Sequence, residues 1–172
     1  AAVGKLALFA NTTGLRNVGL GSYAGFGNTT GSNNMAIGME ALNTNTTGSN
    51  SVGIGYRSLF SATLYSNTAI GSWSGYGITT GYSNVVIGDS TLFNATSAYK
   101  NVVIGSNAGQ ILTTGNSNTF LGTGADAVSG NGTISNAAAI GSMAKVAASN
   151  SLVLGGTGAN AVNVGINTTT PQ

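Results

Sequence analysis

The residues that could carry chemistry are few and lie far apart in the chain. Ser and Thr hydroxyls are plentiful, but a hydroxyl nucleophile needs a neighbouring base, and the chain has neither His nor Cys. The three acidic residues, Glu40, Asp89 and Asp126, are at least 37 residues apart in sequence. A carboxylate pair for acid–base catalysis is therefore not expected, and neither is a metal site or a cofactor. The composition predicts a protein that is not an enzyme.

The charge content excludes further classes of function. Charged residues make up 5% of the 172 residues, with five Lys or Arg and a net charge of +2, whereas a globular domain carries about 25%. Binding to nucleic acid requires clustered cations, and here they are scattered singly, so we expect no nucleic-acid partner. No apolar run approaches the roughly 18 residues of a membrane span, so we expect no membrane insertion.

A glycine closes a short apolar step at nearly constant intervals, and we call these residues the corner glycines. The first eight are separated by 17, 17, 17, 16, 17, 17 and 17 residues, and the next two follow after 19 and 14. A fixed period of this length predicts a repeat architecture. The corner glycines are Gly4, Gly21, Gly38, Gly55, Gly71, Gly88, Gly105, Gly122, Gly141 and Gly155, with Asn167 in the equivalent place further on.

The residues one and three positions before each corner glycine are apolar or Thr, which is the period-two pattern of a short strand. We expect this face of the strand to enter the interior of the repeat. The predicted structural core consists of Leu20, Ile37, Ile54, Ile70, Ile87, Ile104, Leu121, Ile140, Leu154 and Ile166.

Seventeen residues cannot form a core alone, but they can form one coil of a solenoid whose strands pair with those of the next coil. We therefore predict an all-β fold: a parallel β-roll or β-solenoid of about ten coils, each with two short strands and two turns. The Gly after each Thr-Thr pair, as in Gly31, is expected at a turn with positive φ. The predicted organisation is a regular solenoid over 1–122, a longer inter-coil loop over 123–136, shorter coils over 137–166 and a linker over 167–172.

Both strand faces are apolar, so a thin coil cannot bury all of its hydrophobic surface. Leu8, Leu42, Leu59 and Leu92 add to this surface in the sequence pattern. A single chain would expose a long apolar stripe of a kind that soluble monomers avoid. We expect identical chains to cover it, most simply as a parallel homotrimer.

Three sets of polar or aromatic residues recur with the repeat, and each has two interpretations. Asn near the start of each strand could contact sugars, but we expect an amide ladder between coils instead. Thr-Thr pairs could form an ice-binding array, although this array breaks in the units of Gly55 and Gly88. Exposed aromatic side chains could stack on glycans, or could fill corners and grooves between chains. The candidate glycan contacts are Tyr23, Tyr56, Trp73, Tyr76, Tyr82 and Tyr99.

The units NNMAIGMEALNTNTTGSN and SNTAIGSWSGYGITTGYSN resemble the 17-residue repeats of trimeric bacteriophage tail fibres. The later stretch AIGSMAKVAASNSLVLG is more similar to the shorter units of YadA-like trimeric autotransporter adhesin heads. The resemblance implies a left-handed roll intertwined as a homotrimer, on a virion tail fibre or at a cell surface.

The expected function is structural and adhesive: a segment of an extracellular fibre that projects toward or contacts a host surface, with surface glycans or proteins as partners. The tail fibre is favoured because 17-residue units dominate. A bacterial surface adhesin or extracellular filament is the alternative, and an ice-binding solenoid is a third class.

Overall fold

A computed structural model of the chain describes residues 1–63 and 65–156. The predicted core residue Ile166 and the predicted linker 167–172 lie outside this part. The described residues contain strands and turns and no helix, which confirms the all-β prediction. The strands are β1 (Ala2–Val3), β2 (Val18–Leu20), β3 (Met35–Ile37), β4 (Val52–Ile54), β5 (Thr68–Ile70), β6 (Val85–Ile87), β7 (Val102–Ile104), β8 (Thr119–Leu121), β9 (Asp126–Ala127), β10 (Ala138–Ile140), β11 (Lys145–Val146) and β12 (Leu152–Leu154).

Ten of these strands form one parallel sheet in the order β1-β2-β3-β4-β5-β6-β7-β8-β10-β12. Each pairs with its equivalent in the next coil, as Met35 pairs with Val52 and Ile37 with Ile54. The parallel solenoid is therefore confirmed. Each regular coil contributes one three-residue strand rather than the two we expected, and the rest of each coil is held by turn hydrogen bonds to its neighbours. At about 4.8 Å per strand, the sheet is roughly 45 Å long.

The strand faces are the reverse of the prediction. The middle residue of each strand enters the coil, and Ala69, Val86, Val103 and Phe120 are fully buried there. The predicted core residues lie on the outer face of the sheet: within the single chain Leu20 is 45% exposed, and Ile70, Leu121 and Leu154 are 38–43% exposed. The other members of the predicted core in this part are half-buried, namely Ile37, Ile54, Ile87, Ile104 and Ile140.

The interior is filled by side chains of complementary size from successive coils. Leu42, Leu59 and Leu92, which we expected in the exposed stripe, are buried, and Leu8 is half-buried. Leu42 packs over Gly53 of the next coil, at which a Cβ would come within 3.2 Å of the leucine Cγ. Where the leucine position holds Gly109, the next coil fills the space with Phe120. Large and small residues therefore alternate to keep a narrow core at close packing.

The chain turns sharply at each corner glycine. Gly38 and Gly71 have φ of 121° and 130°, outside the range that L residues favour, and they pack against the backbone of the following corner glycine. Two residues further on, non-glycine residues such as Trp73 adopt left-handed φ of 50–58°. The Gly after each Thr-Thr pair does not have the positive φ that we predicted. Gly31 is needed for close approach, because a Cβ there would collide with the carbonyl of Gly48.

The Asn residues before the strands form the expected amide ladder. The Asn84 Nδ2 donates to Asn67 Oδ1 at 3.0 Å and to the Ala98 carbonyl at 2.8 Å. Asn84 Oδ1 in turn accepts the backbone N–H of Asn101 at 3.0 Å. Asn50, Asn136 and Asn150 are displaced by one position, where φ is positive, and Ser51, Ala137 and Ser151 take the places before the strand. The ladder satisfies buried backbone groups between coils, so these amides are structural.

The predicted longer loop 123–136 includes a strand as well as turns. Within it, β9 pairs with β11, with Asp126 opposite Lys145. Asp126 is 1% exposed, and its carboxylate accepts the backbone N–H groups of Ile111 at 2.9 Å and Ala127 at 2.8 Å. The Lys145 Nζ lies 3.8 Å away. Burial raises the pKa of Asp126, and the two N–H donors and Lys145 offset this in part.

The raised pKa gives a testable pH dependence. Because the folded chain binds the Asp126 proton more tightly than the unfolded chain, this group stabilises the fold at low pH. Its contribution should be lost as the pH rises from the ordinary Asp value of about 3.9 through the raised folded value. Urea unfolding curves between about pH 3 and pH 7 measure how the free energy of unfolding depends on pH. Asp126→Asn should remove the part of this dependence that comes from the Asp126 carboxyl. Asp89→Asn, at an exposed site, is the control and should leave this pH dependence in place. If the free energy of unfolding of Asp126→Asn changed with pH as that of the wild type does, Asp126 would not be its source.

Candidate functional site: the outer sheet face and the aromatic belt

The outer face of the ten-stranded sheet is a continuous and mostly apolar surface, in which two strands begin with a Thr. It carries the first and last residues of each three-residue strand, and within the described strands none of these is charged. With a length of about 45 Å and a width of roughly 10 Å, it projects about 450 Å². This area is smaller than the sequence led us to expect, and it lies within the range of the largest apolar patches on soluble monomers, which are often functional. Its most exposed members are Val3, Leu20, Met35, Ile70, Val85, Val102, Leu121, Leu152 and Leu154.

A second feature lies on the wall of the coil that follows the corner glycines. We define the aromatic belt as Tyr56, Phe60, Trp73, Tyr76 and Phe93. Tyr76 stacks between Phe60 and Phe93, with ring centroids 5.3 and 5.0 Å apart. Trp73 meets Tyr56 and Tyr76 edge-on at 5.1 and 4.9 Å. The stacked rings therefore contact each other along the rod, and Tyr76 has a ring against each of its faces.

Arg57 lies within the belt. Its guanidinium carbon is 4.9 Å from the Trp73 centroid, 5.2 Å from that of Tyr56 and 5.5 Å from that of Phe60. The Arg57 Nε donates to the Glu40 carboxylate. This hydrogen bond raises the pKa of Arg57 further, so the cation stays charged against the rings. The belt is the part of the described surface where Trp, Tyr and Arg meet, a composition typical of binding hot spots.

The structure brings together three of the six candidate glycan contacts, namely Tyr56, Trp73 and Tyr76. Tyr23 lies in a separate cluster with Phe26, at a centroid distance of 5.5 Å. Tyr82 and Tyr99 stack on each other at 5.0 Å, on the segment that precedes the strands. The belt members Phe60 and Phe93 were missed, although both fall five residues after a corner glycine, as Phe26 does. Aligning that column would have found them.

The belt should contribute measurably to stability. Tyr76→Ala removes two stacked contacts and one edge contact, so we expect a loss of about 2–4 kcal/mol, because each aromatic pair adds about 0.5–1.5 kcal/mol beyond the buried area. Tyr82→Ala is the matched control, since it removes one stacked pair and should cost about half as much or less. Urea unfolding followed by circular dichroism measures both. Equal losses would show that the belt does not act as a connected stack.

One column of the Thr array continues through the two units in which we expected a break, although neither unit contains a Thr-Thr pair. Thr63 and Thr96 occupy the same column as Thr29 and Thr79, in the units of Gly55 and Gly88. The Thr63 hydroxyl donates to the Thr79 carbonyl at 2.9 Å, and the Thr79 hydroxyl donates to Thr96 at 3.1 Å. These hydroxyl protons are used between coils, which supports a structural role for the column.

Sites of other kinds are not found in the described residues. No group of three acidic, His or Cys side chains is positioned to hold a metal ion in residues 1–63 and 65–156. The same part of the chain has no helix long and apolar enough to cross a bilayer. In the comparisons with known proteins, no family model, no curated protein and no solved structure matches this chain.

Proposed function

We propose that this chain is a rigid segment of an extracellular homotrimeric fibre, most simply a phage tail fibre that projects toward a host surface. The observation that carries the proposal is the outer sheet face. It is mostly apolar along the described rod, and it is formed by residues that repeat from coil to coil. The occupant that we assign to it is another copy of the same chain.

Three features favour a copy over an unrelated partner. The face is linear and repeats every coil, so identical parallel chains present matching rows to one another. It carries no charge in the described strands, which suits a permanent homo-oligomeric interface more than a transient one. It also lies on the wall before the corner glycines, whereas the aromatic belt lies on the wall after them. Self-association would therefore leave the belt free to contact other molecules.

The adhesive part of the proposal depends on repetition. Three parallel chains would present the belt three times around the fibre, so that weak contacts to a surface act together through avidity. A bacterial adhesin or extracellular filament built from the same roll remains the alternative, because its surface would be used in the same way.

The experiment is a mass measurement in solution, by sedimentation equilibrium, combined with small-angle scattering. We expect three times the 16.8 kDa of one chain and a rod-shaped particle. A monomeric mass at micromolar concentration would overturn the proposal. A glycan array with the wild type and Trp73→Ala then tests adhesion: signals that the variant loses support the belt as the contact.

The continuous Thr column favours one other candidate, an ice-binding solenoid. Against it, the Thr hydroxyls donate to carbonyls within the chain. Thermal hysteresis of the wild type and of Thr46→Tyr decides between the two. Hysteresis that the substitution removes would support ice binding, and no hysteresis in the wild type would end it.

A further inference from the structure

When identical chains with a uniform repeat associate, several alignments along the rod axis make nearly the same contacts. The pairings from β2 to β8 are alike, with three aligned residues at each step. The outer face is mostly Val, Ile and Leu, so sliding one chain by a whole coil replaces each side chain by a similar one. Such a surface specifies register weakly unless something marks particular coils.

Two residues break the apolar rows of the outer face. Thr68 is the first residue of β5 and Thr119 the first residue of β8, and both are half-buried in the single chain. Their neighbours in the same row are Val52 and Val85 for Thr68, and Val102 and Ala138 for Thr119. In the other strands from β2 to β7, this first position holds Val or Met.

The hydroxyls of these two residues differ from those of the turn threonines. The turn residues Thr63 and Thr79 donate to carbonyls of the next coil. Thr68 and Thr119 make no side-chain hydrogen bond to another residue in the described part of the chain. When a second copy covers this face, each hydroxyl needs a hydrogen-bond partner there, because burying a hydroxyl without one is unfavourable.

We infer that Thr68 and Thr119 set the axial register of the assembly, an inference that rests on the proposed homotrimer. In register, the hydroxyls of the three Thr68 side chains meet each other, and so do those of Thr119. A slip of one coil places Thr68 against Val52 or Val85 and leaves its hydroxyl without a partner. The two threonines are three strands apart in the sheet, so a slip that brings Thr119 opposite Thr68 also loses the contacts of three coils.

The test moves one threonine by one coil. The swap variant Thr68→Val/Val85→Thr is self-complementary and should form homotrimers as the wild type does. Refolded together with wild type under a different affinity tag, it should sort into its own trimers, with mixed trimers at least about fivefold below random assortment. Thr68→Ser keeps the hydroxyl at the same level, so this control should mix freely with wild type. A second swap, Thr119→Val/Val102→Thr, provides an independent measurement.

The outcomes separate the two proposals. Trimers in which both swaps assort at random with wild type would overturn the register role while leaving the fibre intact. A monomeric mass for the wild type would instead overturn the fibre. Native mass spectrometry of the tagged mixtures distinguishes wild-type, variant and mixed trimers directly.

Discussion

Val102→Asp is expected to convert the proposed homotrimer into folded monomers. Val102 is 39% exposed on the outer face of the single chain, so a carboxylate there remains solvated as long as the chain is alone. Covered by another copy, each carboxylate loses its hydration at a cost of several kcal/mol, and three of them come together. Association should weaken by at least about a thousandfold, at 1.4 kcal/mol per factor of ten.

The control for this variant is Asn107→Asp in the same coil. Asn107 is exposed on the wall that follows the corner glycine, and its side chain bonds only to Ser106 among the described residues. The control adds the same charge and should keep the trimeric mass. Sedimentation velocity measures the mass, and circular dichroism checks that both variants stay folded. A trimer in Val102→Asp would mean that the outer face is not the interface.

Gly71→Ala is expected to cause a large loss of stability. Gly71 has a φ of 130°, and a Cβ there would lie 2.6 Å from the carbonyl carbon of Gly88. Backbone cannot move away as a flexible side chain can, so we expect a loss of about 4 kcal/mol or more. The midpoint of thermal unfolding should fall by roughly 10 °C.

Gly130→Ala separates the collision from the unfavourable φ. Gly130 also has positive φ, 88°, but no atom lies within 4 Å of its Cβ position. The control should therefore show only the conformational cost of about 1–2 kcal/mol. Similar melting temperatures for the two variants would show that neighbouring coils do not constrain the corner.

The period, the parallel register and the boundaries of the strands could be read from the sequence. They follow from the spacing of the corner glycines and from the apolar residues before them, and Val85–Ile87 pairs with Val102–Ile104 as that spacing requires. The same alternation of residues repeats in every coil. Locating the strand in one repeat unit therefore locates the equivalent strand in each of the others.

The orientation of the strand could not be obtained from alternation alone. A period of two is the same for either face, and both faces are apolar here, so the larger Ile and Leu were assigned to the interior. The inward face can be recognised by the matching of side-chain sizes between successive coils. Gly53 lies against Leu42 of the preceding coil, and Phe120 lies against Gly109. Only residues that share a narrow interior need such compensation, whereas the outer Ile column can stay uniformly large.

The sequence identified part of the aromatic belt, again because spacing does not show which way each side chain points. Tyr56, Trp73 and Tyr76 were identified as aromatic and near the corner, but which rings meet depends on where each position points. Tyr82 and Tyr99 lie on the segment before the strand, and so they cannot join the belt. Phe60 and Phe93 point outward from the fifth position, as Tyr76 does, and complete the stack.

Because every hydrogen-bonded ladder joins one coil to the next, the rod is assembled from units of one coil. Removing or duplicating a segment of 17 residues would keep these ladders in register and change the length by about 4.8 Å, provided that large and small interior residues of the newly adjacent coils still match, as Leu42 and Gly53 do. An insertion of any other size would rotate inward side chains to the outside, unless a turn absorbed it. The reach of such a rod can thus be lengthened or shortened in whole steps by duplicating or deleting short stretches of its gene, while its cross-section stays the same.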